Sequence, residues 1–249
     1  MRAGINVFVF FLLPLVVPVI AHAGKNEVMI YDISWLGMTV GGMTVQEEQR
    51  DDGTTLRSIR VRSRPWVATL YRVDTTIRCA IEPTDNGIRH TVTKAVAEGD
   101  FTQNDTLMLW PSTGACIWSN AVEKTSVTSS VPANTQDAVS FFFDLRDTLQ
   151  RQATPAAEKY RLVMDGAAHA LEISVGEKTT KIKTPFGKVD AVAVSAVSKS
   201  PTLFSRNKPK NIWVAKTRPA VLAVDVSITL GTVHITLQSW TTNGVAVKL

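Results

Sequence analysis

The residues able to do chemistry are few and scattered along the chain. Beyond the leader described below there are three histidines, His90, His169 and His234, and two cysteines, Cys79 and Cys116. His234 alternates with Val233 and Ile235, which places it on the polar side of a strand. His169 lies among the small residues Ala167, Ala168 and Ala170. Neither is followed by a second histidine at metal-ligand spacing, and neither cysteine has a histidine at such spacing. Paired carboxylates can run glycoside hydrolysis, and Glu47-Glu48, Asp51-Asp52 and Asp144 with Asp147 are the pairs available. The first two fall in a charge-rich hairpin tip, where solvation accounts for them. Asp144 and Asp147 share one helix face with Arg146 between them, the pattern of helix-surface charge. No Gly-x-Ser-x-Gly elbow supplies an esterase nucleophile. The segment Gly37-Met38-Thr39-Val40-Gly41-Gly42 lacks the Lys-Ser/Thr ending of a phosphate loop and reads as a kinked or bulged β-hairpin. The sequence therefore predicts no catalytic residue, no metal site and no cofactor.

Apolar side chains are the remaining candidates for contact with a ligand. Six tryptophans, Trp35, Trp66, Trp110, Trp118, Trp213 and Trp240, accompany Phe141, Phe142 and Phe143 and the methionines Met38, Met43, Met108 and Met164. Such residues fill cores, and as a group they also line apolar pockets. Trp35, Met38, Phe141, Phe142 and Leu145 are the candidate ligand contacts.

The elements that must position these residues read as strands. Leu222, Val224, Val226, Ile228 and Leu230 alternate with polar neighbours. After Gly231 the pattern resumes at Val233, Ile235 and Leu237, which makes a half-buried antiparallel hairpin. Similar alternation marks Val28 to Leu36, Leu56 to Arg62, Ile88 to Val96, Leu171 to Val175 and Val189 to Val197. Turn signals separate them: Asp51-Asp52-Gly53, Asp85-Asn86-Gly87, Asp165-Gly166, Gly176 and Phe186-Gly187. One segment departs from the period. After the polar stretch Glu123 to Asn134, Asp137 can cap a helix running to about Leu149. Val139, Phe142, Phe143, Leu145 and Leu149 give that helix a broad apolar flank. A helix so apolar in a β-rich chain needs a greasy seat, which the concave face of a curved sheet provides. The expected fold is mainly β, a single domain with a strongly curved antiparallel sheet or half-barrel, carrier-like, around one central apolar helix.

The N-terminus constrains the setting. Arg2, an apolar run from Val7 to Ile20 broken only by Pro14 and Pro18, and Ala21-His22-Ala23 form a secretory signal peptide spanning residues 1–23, cleaved after Ala23. The run is too short and too proline-broken for a comfortable membrane-spanning helix. Gly24 follows rather than cysteine, which argues against a lipid anchor. The expected mature domain, 24–249, holds about 226 residues, enough for one β-rich domain with a sizeable core. Its periplasmic location removes nucleic acid as a partner. The chain has 27 Lys and Arg against 22 Asp and Glu; the basic residues are scattered, which reads as a solvated face, with contact to anionic lipid head groups or lipopolysaccharide as the sharper alternative. In an exported chain an even cysteine count usually means pairing, so Cys79 and Cys116 are expected to form a disulfide. It would close a loop of about 37 residues and contribute roughly 3–4 kcal/mol. A reduced, buried pair is the alternative.

Four stretches then carry a resemblance: Tyr31-Asp32-Ile33-Ser34-Trp35-Leu36-Gly37-Met38-Thr39-Val40-Gly41, Gln136-Asp137-Ala138-Val139-Ser140-Phe141-Phe142-Phe143-Asp144-Leu145-Arg146, Thr184-Pro185-Phe186-Gly187-Lys188-Val189 and Ile212-Trp213-Val214-Ala215-Lys216-Thr217-Arg218-Pro219. In that order they resemble the signatures of an exported bacterial family catalogued as domain of unknown function 3108. Lys216 to Pro219 departs from the pattern, where an acidic residue is commoner before the Arg-Pro step. By architecture the family is similar to envelope carriers that hold a lipid between a half-barrel and a helical lid. The family name itself implies no activity; export, β-richness, the apolar helix and the missing chemistry together point to a non-catalytic periplasmic envelope protein that binds an amphiphile or supports envelope integrity. Its expected partners are a lipid, a lipoprotein or another amphiphile, an envelope protein, and a membrane surface touched peripherally. A structural or interaction protein without a ligand cavity is the second expectation, and a glycan-active enzyme the third.

Overall fold

The computed structural model describes residues 24–151, 158–200, 208–218 and 220–249. The expected leader lies outside them. The N-terminal half builds β1 (Asn26–Trp35), β2 (Met38–Gln49), β3 (Thr55–Ser63), a one-turn helix α1 (Pro65–Ala68), β4 (Asp74–Thr84), β5 (Gly87–Glu98), β6 (Phe101–Trp110), β7 (Ala115–Asn120) and β8 (Thr125–Ser130). A two-residue strand β9 (Gln136–Asp137) leads into α2 (Ala138–Arg151). Then follow β10 (Glu158–Met164), β11 (Ala167–Thr184), β12 (Gly187–Ser198), β13 (Lys208–Ala215), β14 (Val221–Ile228), β15 (Gly231–Thr242) and β16 (Val245–Ala246). Among the described residues all sixteen strands share one sheet, with β8 and β9 at its two ends. The sheet is two antiparallel meanders joined by the β1–β15 ladder. The β9–β10 pair alone is parallel.

The alternating segments are strands, with boundaries within a few residues of those expected except for β11, which runs much further than Leu171 to Val175. The glycine-marked turns hold except at Gly176, which lies inside β11 where the β11–β12 register slips between Val175 and Thr179, so it marks a bulge and not a turn. Gly87, Gly166, Gly187 and Gly231 all adopt positive φ, where a side chain would be strained. The expected irregularity near Gly41 is a bulge: the β1–β2 register slips between Ile33 and Ser34, opposite Gly41 and Thr39. Glycine is required at 41 because a Cβ there would lie 2.7 Å from the Arg62 carbonyl oxygen. The polar stretch Glu123 to Asn134 contains a strand, β8, that the sequence does not announce. Its residues Thr-Ser-Val-Thr-Ser-Ser are solvent-facing on both sides at a sheet edge, so no hydrophobic period marks them.

The sheet is open but strongly curled. Ser129 Oγ of edge strand β8 donates to the Gly166 carbonyl in the β10–β11 turn, 3.2 Å away, so the two ends of the sheet approach one another. α2 sits in this curl. Val139 and Phe143 join one apolar cluster with Met29, Tyr31, Val45, Leu107, Leu237 and Trp240. Leu145 joins a second with Leu162, Leu171, Ile173 and Val194. Phe142 packs against both, so the helix is covered over most of its circumference.

Charge fixes where the helix lies. Arg146 is 1% exposed, yet it carries its cation into the core. Its Nη2 donates to Glu27 Oε2 on β1 at 2.8 Å, and Glu27 Oε1 accepts from the Trp240 indole on β15 at 2.7 Å. Arg57 on β3 donates to Glu47 Oε2 on β2 at 2.7 Å and to Asp144 Oδ1 on α2 at 3.3 Å. Both guanidiniums lie over the Phe143 ring, at 4.8 Å for Arg57 and 5.2 Å for Arg146.

The cysteines correct one expectation. Cys79 on β4 and Cys116 on β7 are both buried free thiols, not a disulfide. Strands β5 and β6 lie between them. Three strand spacings along a sheet amount to about 14 Å, whereas bridged Cα atoms lie within about 7 Å. Both cysteines do lie in strands, but strands near in sequence are not thereby neighbours in the sheet.

Replacing Arg146 by Ala leaves the Glu27 carboxylate buried without its cation. This should cost about 3–5 kcal/mol in urea unfolding, and the Glu27→Gln, Arg146→Met double variant should lose much less. Equal losses from single and double variants would refute the clamp.

Candidate functional site

The sequence-predicted contacts divide into two places. Phe141, Phe142 and Leu145 are together on α2. Phe141 meets Tyr160 edge-on at 5.1 Å and Phe142 meets Phe143 at 5.5 Å. These are core contacts. Trp35 and Met38 lie elsewhere, at the β1–β2 turn. The Trp35 indole donates to the Leu230 carbonyl at 3.0 Å, and Met38 is half exposed.

Two cavities flank α2. Beneath its first turn lies an apolar cavity of about 90 Å³, walled by Ile77, Val92, Leu107, Trp118, Val139 and Val163. Lys94, Asp105, Asp137 and Asp165 are its polar lining residues. Lys94 Nζ is 3.2 Å from Asp165 and 3.5 Å from Asp105. Burial raises the Asp105 carboxyl above its ordinary range despite Lys94. At the other end of α2 a larger, more open cavity of about 440 Å³ is lined by charged groups, among them Lys25, Glu27, Arg146 and Arg218.

The start of α2 is a polar knot that sequence spacing concealed. Asp137 Oδ1 accepts from the backbone N–H of Val139 at 3.0 Å and of Ser140 at 2.9 Å, the expected helix cap. Its other oxygen, Oδ2, lies 2.7 Å from His90 Nδ1 and accepts from the Cys79 thiol at 3.5 Å. Ser140 Oγ is 3.3 Å from His90 Nδ1 and 3.6 Å from Cys79 Sγ. Burial opposes the Asp137 charge, but His90 and the Ser140 donors outweigh it and hold the carboxyl below its usual range. Burial, reinforced by that carboxylate, pushes the Cys79 thiol far above the ordinary thiol range. The register explains the meeting. Cys79 faces Val92, and His90 faces Ile81 across the same β4–β5 pair, so Cys79 and His90 are diagonal neighbours on one face. The knot is not a serine relay, which needs base and orienter on different ring nitrogens; here Asp137 and Ser140 both face Nδ1.

The other histidines behave as local partners. His234 Nδ1 lies 2.7 Å from Asp225 on the neighbouring strand, on the polar side as expected. His169 Nδ1 lies 2.7 Å from Ser200 Oγ. Asp144 and Asp147 are engaged with Arg57 and Arg146 respectively, at 3.3 and 3.6 Å.

A third feature is one end of the sheet. The register places the β1–β2, β5–β6 and β14–β15 turns together with the α1 loop. There Leu36 is 71% exposed, Leu70 85% and Leu230 70%. Met38, Trp66, Tyr71 and Phe101 are each about half exposed. Arg64 and Arg72 stand on the same rim, with Arg64 3.3 Å from Asp32.

These features define a class: an open, curled β-sheet plugged by a buried helix, with no catalytic relay among the described residues. The chain belongs to the family described as Protein of unknown function (DUF3108), which matches residues 30–238. Among solved structures it is similar to a β-barrel-like protein of domain of unknown function DUF1849 from Brucella abortus. That likeness has a TM-score of 0.57 at 9% identity and covers 88% of this chain and 97% of the other, a likeness of fold. No curated protein matches the sequence.

Two measurements check the electrostatics and the thiols. Burial alone would raise Glu47, but Arg57 and Lys25 hold it below its ordinary value. Its folded-state pKa is thus depressed, so its stabilisation is full above the unfolded value of about 4.3 and is lost as pH falls through the folded value. Glu47→Gln should lose about 1–3 kcal/mol at neutral pH, and the gap to the parent should close under acid; a gap independent of pH would contradict this. Maleimide mass-tagging without reductant should add nothing to the native protein and two tags in denaturant. Untagged denatured chain would restore the disulfide.

Proposed function

We propose that this chain is an exported, non-catalytic envelope protein that works at a lipid surface and handles an amphiphile. The observation that carries the reading is the apolar rim. Leu36, Met38, Trp66, Leu70, Tyr71, Phe101 and Leu230 gather at one end of the sheet, largely in water. Soluble chains seldom keep so many large apolar side chains together without a partner. Aromatic and aliphatic tips flanked by arginines suit the interface between head groups and acyl chains. The leader-like N-terminus and the absence of a relay at the polar knot support the same reading.

The cavity under α2 supports the amphiphile part on a small scale. At about 90 Å³ it is smaller than the engineered cavity of about 150 Å³ that accepts benzene, so it takes a short alkyl tip and not a whole diacyl lipid. A larger tail requires α2 to withdraw as a lid. A second reading, a structural envelope protein with no ligand, is favoured by the Arg57 and Arg146 grip on Phe143, which fixes the helix as part of the core.

Vesicle flotation separates the readings. The mature chain should float with phosphatidylglycerol-containing vesicles, and the Trp66→Ser, Leu70→Asp double variant should reduce the bound fraction about tenfold, because two exposed interfacial anchors are worth roughly 1–2 kcal/mol together. No flotation of the parent, together with no bound lipid in native mass spectrometry, would leave the structural reading in its place.

A further inference from the structure

We propose that Cys79, His90 and Asp137 form a binding site for a zinc-class divalent cation, with Ser140 at the fourth corner. The donors come from three places in the fold: β4, β5 and the cap of α2. Their ligand atoms, Sγ, an imidazole nitrogen and a carboxylate oxygen, all lie within 4.8 Å of one another. A thiolate, an imidazole and a carboxylate are the ligand types that zinc takes. Sequence spacing hid the site because Asp137 stands far along the chain from the other two.

The distances carry the inference further than the residue types do. With Zn–S of about 2.3 Å and Zn–N and Zn–O of about 2.0 Å, a tetrahedron has S···O edges of about 3.5 Å and N···O edges of about 3.3 Å. Cys79 Sγ stands 3.5 Å from Asp137 Oδ2 and 3.6 Å from Ser140 Oγ. His90 Nδ1 stands 3.3 Å from Ser140 Oγ. The His90–Asp137 edge is short, 2.7 Å, the length of a hydrogen bond. It opens by about 0.6 Å when a cation takes the place of the proton between them.

The helix cap survives this exchange. Asp137 caps with Oδ1 and would ligate with Oδ2, so the Val139 and Ser140 N–H groups keep their acceptor. Charge also balances. On binding, the S–H bond of Cys79 breaks and its proton leaves to solvent, while the His90 proton moves to the other ring nitrogen. One divalent cation, one thiolate and one carboxylate then sum to zero in a site that otherwise holds a buried carboxylate. Asp137 also lines the cavity beneath the first turn of α2, so the site is not packed solid on that side.

Cobalt(II) is the probe. The reduced, chelator-treated full mature chain should take up one Co²⁺, with near-ultraviolet thiolate-to-cobalt absorption and the visible bands of tetrahedral cobalt, both displaced by Zn²⁺. Cys79→Ala should abolish the thiolate band, and Cys116→Ala should leave it unchanged, with circular dichroism reporting the fold of each. His90→Gln keeps the thiol and should weaken uptake at least about tenfold, so it serves even if Cys79→Ala does not fold. Absence of the thiolate band in the parent, its survival in Cys79→Ala, or uptake unaffected by His90→Gln would overturn the site.

Discussion

Two arginines, Arg146 fully buried and Arg57 partly so, set the position of everything else. An open sheet curled around a helix has no closing ladder to define its bore, so the helix must be held by something more directional than apolar contact. Arg57 reaches from the sheet to Asp144 on the helix, and Arg146 reaches from the helix to Glu27 on the sheet. Both stack on Phe143, whose own burial supplies the apolar part of the contact. A charge this deep is tolerable only with its partner in place, so the pairs specify one seat for the helix more sharply than they add stability. Glu47 completes the arrangement by fixing Arg57 from the neighbouring strand.

With the middle of α2 gripped in this way, its two ends have different surroundings. The N-terminal end meets thiol, imidazole and hydroxyl groups around Asp137, next to a small apolar cavity. The C-terminal half faces a wider, charged opening near Lys25 and Arg218. The apolar rim lies apart, built on turns rather than on the helix. Three kinds of surface are thus carried by one sheet, and only the apolar ones were visible as composition.

The limits of sequence reading follow from range. The β14–β15 hairpin was legible because its period is local and Gly231 supplies the turn. α2 was legible because Asp137 and the Phe141 to Phe143 run lie in one short segment. β8 was not, because a strand wet on both faces has no period to read. Glu27 and Arg146 are an ion pair across more than a hundred residues, and nothing near either of them announces burial. By sequence Cys79 reads as half of a bridge, since export and an even count favour pairing. Its true neighbours, His90 and Asp137, depend on strand register and on where the helix begins. Trp35 and Met38 belong to the rim at the β1–β2 turn rather than to the helix, a separation that only the strand register sets.

The β1–β15 ladder has a consequence for how the chain acquires this structure. Almost every other pairing joins strands consecutive in sequence, so each meander can zip from its own turns at small entropic cost. The β1–β15 ladder instead brings together residues such as Glu27 and Thr242, from opposite ends of the described chain. Closing so long a loop is the entropically expensive step, and it goes uncompensated until the contacts it creates are in place. Glu27 sits on that ladder and holds Trp240 and Arg146 at once. The suture between the meanders and the seat of the helix therefore meet at a single carboxylate.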